Sequence, residues 1–196
     1  AQSQGAMYGK IPSGAMGDVS VFSFDPMKNM PSFGGGGMVL TDSKEIRDTI
    51  VSLRRHGISG KHKYGYNSLI SEDHANQLLL LLKKFDRLQA MREKVCRRYM
   101  KNIPEVQILC AGPNTKSSHH KLVILNDRRD DLKAYLETKG IQTKIHYQKI
   151  LDAENVGQYP NAEKICAKAL SLPMYPHLKM KEVDYICDRI KEFIHV

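Results

Sequence analysis

In Phe22-Ser23-Phe24-Asp25-Pro26-Met27-Lys28-Asn29 a strand ends, a proline forces a turn and a lysine follows. Between Pro26 and Thr41, Lys28 is the only charged residue. The stretch 34–41 then reads Gly-Gly-Gly-Gly-Met-Val-Leu-Thr. A serine at a strand end can offer its hydroxyl to a phosphate. A lysine amine in a sheltered loop is a nucleophile for a carbonyl and can form a Schiff base. An ordinary surface lysine has the same spacing, so this segment alone leaves both readings open.

Upstream, residues 18–24 alternate and carry β-branched and aromatic side chains, which predicts a strand. Residues 25–37 are a loop, and 38–41 a second short strand. The four glycines lack the Lys-Ser/Thr of a Walker loop, and no Gly-x-Gly-x-x-Gly opens a helix. They are read as a flexible or positive-φ connection between strands. Asp42 or Ser43 caps a helix over Glu45–Arg55, which His56-Gly57 ends. Residues 58–70 form a basic loop with tyrosines. Ser71 opens one long helix to about Asn102, with Leu78, Leu81, Leu82, Phe85 and Leu88 on one stripe. Beyond Pro104, strands are predicted at Val106–Leu109, Lys121–Leu125 and Ile141–Ile145. Helices are predicted at Asp127–Lys139, Asn161–Ala169 and Lys181–Ile194.

The 196 residues are 41% hydrophobic and 26% charged, which excludes a wholly disordered chain. The net charge of +9 suits phosphate-bearing ligands, nucleic acid or acidic partners without choosing among them. The longest apolar run is Leu78 to Leu82, far short of the ~20 residues of a membrane helix. Cys96, Cys110, Cys166 and Cys187 show no Cys-x-x-Cys spacing. They read as reduced thiols of a cytoplasmic protein, with no metal site. His119-His120 begins a predicted strand and so points to two faces, a poor ligand pair. His146-Tyr147 follows a predicted strand and fits a pocket rim as well as packing. Lys61, Lys63, Tyr64 and Tyr66 interleave basic and aromatic groups, as a nucleic-acid surface or a solvated loop does.

The Lys28 segment with its glycines resembles the Schiff-base lysine segment of the DegT/DnrJ/EryC1/StrS family. These are pyridoxal-phosphate-dependent sugar aminotransferases of the type I fold. AQSQGA at 1–6, LRRHG at 53–57 and YGYNSLISEDHAN at 64–76 are similar to further family segments. SSHHKLVI at 117–124, GIQTKIHY at 140–147 and SLPMYP at 171–176 follow in the family's order.

The resemblance implies an α/β fold, the C-terminal portion of a type I aminotransferase. Residues 1–100 would be the end of a large, mostly parallel sheet domain with its long connecting helix, and 101–196 a small α+β domain. Lys28 would be the Schiff-base lysine and proton shuttle, and the cofactor pyridoxal 5'-phosphate. Ser23 would bind its phosphate, and Gln2 would lie against its ring. Asn67 would reach the phosphate from the other subunit of a homodimer. His146 and Tyr147 would lie near the substrate. The implied reaction moves an amino group, with glutamate as the implied donor, to a keto group of a nucleotide-linked sugar. Neither nucleic acid nor a membrane is implied as a partner.

Three departures stand out. Gln4 replaces a frequent histidine, and Leu69 a frequent arginine. The Gln148–Asp152 segment replaces a proline-rich stretch. Family chains are also roughly twice as long, and residue 1 falls inside a motif. The chain is therefore expected to be a fragment, inactive by itself. A non-catalytic relative serving as a partner subunit is the alternative, ahead of a basic nucleic-acid module.

Overall fold

The computed structural model describes residues 1–58, 64–152, 154 and 156–195. Its first elements are β1 (Met7–Tyr8), β2 (Ile11–Pro12), β3 (Ser20–Ser23) and β4 (Gly37–Leu40). Then come α1 (Lys44–Leu53), α2 (Glu72–Leu82) and α3 (Phe85–Asn102). β5 (Gln107–Ile108), β6 (Thr115–Lys116), β7 (Leu122–Leu125) and α4 (Arg129–Thr138) follow. The chain closes with α5 (Pro160–Lys168), β8 (Ala169–Leu172) and α6 (Met180–Ile194). It divides into two compact units, residues 1–87 with 111–118, and 88–110 with 119 onward.

In the first unit β3 and β4 form an antiparallel hairpin, registered from Ser20 opposite Leu40 to Ser23 opposite Gly37. A second small sheet has the order β2-β1-β6. Ser43 caps α1, its Oγ accepting from the Ile46 N–H at 3.3 Å. Ser71 caps α2 in the same way, and Glu72 and Asp73 favour the positive end of that helix. A small core joins Phe24, Met30 and Leu78, with Phe22 and Phe85 against it.

One expectation for this unit is corrected. The helix from Ser71 is not continuous. It breaks at Lys83-Lys84, where the Lys84 N–H bonds the Leu81 carbonyl in a tightened turn. No glycine or proline marks the break. The five leucines point all round the helix, so one stripe cannot bury them: Leu78 is buried while Leu79, Leu80 and Leu82 are exposed. Every strand pair among the described residues is antiparallel.

The second unit carries the main core. Its sheet has the order β5-β7-β8, with Ile108 opposite Ile124 and Leu122 opposite Leu172. Strand alternation buries Leu122 and Ile124 on one face of β7. Leu132 and Leu136 of α4, four residues apart, join Val183, Ile186, Cys187 and Ile190 of α6 in that core. Val95 and Tyr99 of α3 complete it, and the Tyr99 hydroxyl donates to the Pro173 carbonyl at 3.1 Å. Arg98 makes a two-pronged ion pair with Asp184 at 2.6 and 2.7 Å, tying α3 to α6. The Arg98 hydrogen bond holds the Asp184 carboxyl below the usual carboxylate range.

Ile141–Ile145 is not a regular strand. Only Lys144 pairs, exchanging both backbone bonds with Ser171. The pairing stops because β8 ends at Leu172 and Pro173 has no N–H to continue it. Ala169 belongs to β8 rather than to the preceding helix. No described helix is long and apolar enough to cross a membrane. All four cysteines are free thiols.

Candidate active site

Lys28 closes a tight turn. Its N–H donates to the Asp25 carbonyl at 2.9 Å, and Pro26 holds the second position, where a fixed φ suits the turn. The Asp25 side chain accepts from the Met27 N–H at 2.9 Å, and Ser23 Oγ from the Asp25 N–H at 3.3 Å. Phe24 forms the neck of the loop. Its N–H donates to the Gly36 carbonyl and its carbonyl accepts from the Ser32 N–H, both at 2.8 Å. Gly36 has φ +138°, a conformation that side chains rarely adopt. The glycines thus shape the return into β4, as expected of a positive-φ connection.

Behind this turn lies a buried polar net. Gln4 Nε2 donates to the Ser23 carbonyl at 2.9 Å, and Gln4 Oε1 accepts from the Met30 N–H at 3.1 Å. Asn29 Nδ2 donates to the Ser118 carbonyl at 2.8 Å, and Ser118 Oγ donates to the Gln2 carbonyl at 2.9 Å. Gln4, Asn29 and Ser118 are all buried. Lys28 and Ser23 are half-buried and Gln2 is exposed. The net therefore gathers the backbone of Gln2 and Ser23 and the Lys28 turn into one locality. Gln4, Asn29 and Ser118 escaped the sequence reading as supports, because no spacing or pattern distinguishes a buried amide from an exposed one.

Asn67 belongs to another part of the first unit. It pairs with Arg55 across the end of α1. Around it the His56 N–H donates to the Tyr66 carbonyl, and the Tyr66 N–H to the Leu53 carbonyl. Asn67 is exposed, as are Tyr64 and Tyr66. Lys61 and Lys63 lie outside the described residues.

His146 and Tyr147 lie in the second unit. His146 Nδ1 is 2.8 Å from Ser171 Oγ. Burial first, then the charges of Lys121 and Lys144, hold the His146 pKa below its ordinary value. The Lys121 ammonium sits 5.7 Å from the centre of the exposed Tyr147 ring. Elsewhere in this unit a cleft of about 660 Å³ is lined by Ile141, Pro173, Tyr175, Lys181 and Tyr185 among others, and by none of the expected site residues. Among the described residues, no group of three or more His, Cys, Asp or Glu side chains is placed to hold a metal.

The sequence profile of the DegT/DnrJ/EryC1/StrS aminotransferase family matches residues 1–191. The chain belongs to this family. A Geobacillus stearothermophilus relative, called a pleiotropic regulatory protein, is 34% identical, covering 98% of this chain and 56% of that protein. The dTDP-3-amino-3,4,6-trideoxy-alpha-D-glucose transaminase of Streptomyces venezuelae is 30% identical, covering 98% and 55%. Among solved structures, S. venezuelae DesV in complex with a ketimine intermediate matches with a TM-score of 0.93 and 30% identity, over 100% of this chain and 57% of that one. A family aminotransferase from Brucella abortus gives 0.91 and 30%, over 98% and 55%. The chain thus shares the family's α/β fold and spans a little over half the length of these relatives.

Proposed function

We propose that these residues are the lysine-bearing part of a pyridoxal-phosphate-dependent aminotransferase acting on a nucleotide-linked sugar, with glutamate as the amino donor. The observation that carries this reading is the Lys28 turn, held on the buried net of Gln4, Asn29 and Ser118 with the Ser23 hydroxyl beside it. The transaminase name of the Streptomyces relative supports the sugar substrate.

The donor set suits pyridoxal phosphate: one amine on a fixed turn, one hydroxyl at a strand end, and an exposed amide at Gln2. When bound, that cofactor supplies an electron sink for a carbanion next to nitrogen. Lys28 would hold it through Nζ and then carry the proton between carbon atoms. Ser23 would bind its phosphate, and Gln2 would orient its ring. Asn67 would reach the phosphate of a partner subunit, which makes the active unit a homodimer. His146, neutral near pH 7, and Tyr147 would contact the substrate, and Lys121 beside them suits its diphosphate. The first unit would belong to the large cofactor-binding domain and the second would be the small domain. Because the chain spans little more than half of its relatives, turnover is expected only where the remaining half is also supplied.

Trapping tests this reading. The natural protein carrying these residues is treated with pyridoxal phosphate, then with borohydride, and its peptides are weighed. A phosphopyridoxyl group confined to Lys28, and absent from Lys28→Ala, is expected. A group distributed over surface lysines such as Lys10 and Lys44, or none, overturns the assignment.

A further inference from the structure

We propose that Gln4 is a positioning residue that sets the Lys28 amine relative to the Ser23 hydroxyl. This rests on the function proposed above. The Gln4 amide spans both ends of the segment that carries Lys28. Its NH₂ donates to the carbonyl of Ser23, the last residue of β3, and its oxygen accepts from the N–H of Met30. Those partners stand five residues before Lys28 and two after it.

The match is directional. One partner is an acceptor and the other a donor, and a side-chain amide is the group that offers one of each. Gln4 is 5% exposed, so water cannot replace a missing bond. Between the two anchor points the backbone is already fixed by the Asp25–Lys28 turn and by Asn29 on Ser118. Gln4 therefore closes a frame around the segment that carries the half-buried Lys28. A ligand held by Ser23 presents its reacting atom at a set point, and an error of about 1 Å in the amine's origin is enough to slow reaction there a hundredfold.

Three variants test this in the natural protein: Gln4→Leu, Gln4→Asn and Gln4→Glu. The readout is the initial rate of borohydride-trappable labelling of Lys28 by pyridoxal phosphate, followed by peptide mass. In this labelling the amine nitrogen bonds the aldehyde carbon and water leaves with the carbonyl oxygen. Borohydride then delivers hydride to that carbon, and water protonates the nitrogen. Gln4→Leu, which keeps the bulk and loses both bonds, is expected to slow labelling ten- to a hundredfold. Gln4→Asn is too short to span both partners and should behave alike, serving where the leucine variant does not fold.

Gln4→Glu supplies the discriminating readout. Its ionised carboxylate faces the Ser23 carbonyl and repels it, whereas its protonated form donates as the amide does. Burial at this position raises a carboxyl's pKa, so its rate relative to wild type should be low at pH 8 and rise toward one as the pH is lowered. A loss due to general loosening of the fold would not reverse in acid. Variants that label Lys28 at the wild-type rate overturn the Gln4 role and leave the proposed function standing. A wild-type protein that does not label at Lys28 overturns both.

Discussion

The Asn29 side chain donates to the Ser118 carbonyl at 2.8 Å, joining residues 89 positions apart, both of them buried. This bond pins the residue next to Lys28 to the segment that returns to the first unit from beyond α3. Asn29→Leu keeps the volume and removes the donor. The Ser118 carbonyl would then lose a buried partner, at a cost of about 1–3 kcal/mol. Urea unfolding of the two proteins measures this. An unchanged midpoint at an unchanged slope would show that the bond contributes nothing.

Gly65 sits where two stretches of backbone cross. A Cβ there would lie 2.2 Å from the Gly57 nitrogen and 2.3 Å from the His56 carbonyl carbon. Both are main-chain atoms, so no side chain can swing away. Gly65→Ala must push the 64–68 segment off the end of α1, costing about 1–3 kcal/mol as overpacking does. Asn67, two residues on, would lose its place opposite Arg55. Faster hydrogen exchange at the Tyr66 and Ser68 N–H groups, with a lower melting temperature, is the expected result. Protection equal to wild type at both amides would show that this crossing does not hold Asn67.

Periodic features of the fold were legible in the sequence. The β3 strand, the Ser71 cap, the choice of Asp42 or Ser43 as the first cap, the α4 and α6 helices and the β7 strand follow from alternation, capping chemistry and i, i+3, i+4 spacing. Two-residue strands such as β1 and β6 are too short to show a period. β8 was hidden because Ala169 reads as the end of the preceding helix and the three residues after it are too few to show a period, and its strand character comes from pairing with β7. The break at Lys83-Lys84 is likewise tertiary. For the candidate site, Lys28 was visible as an isolated charge after Asp25-Pro26, and the ordered segments pointed to its family. Gln4 was visible only as a departure from the family's pattern. That its amide reaches main-chain groups 19 and 26 residues further along the chain is a fact of the fold, not of any local spacing.

His146 should titrate below the ordinary histidine value of about 6.5. Burial disfavours its charged form, and Lys121 and Lys144 repel the added proton. Replacing either lysine with methionine removes one repulsion, so the midpoint read from the ring-proton NMR shift should rise, while the burial contribution remains. The same shift fixes a pH dependence of stability. The unfolded chain takes up this proton at the ordinary value and the folded chain only at a lower pH. Stability is therefore undiminished by this group above about 6.5. It is lost as pH falls from there to the depressed value and levels off below it. His146→Gln removes that component, so the gap between variant and wild-type urea midpoints should shift in the variant's favour between pH 8 and pH 5. A gap constant across that range would mean that His146 has the same proton affinity folded and unfolded.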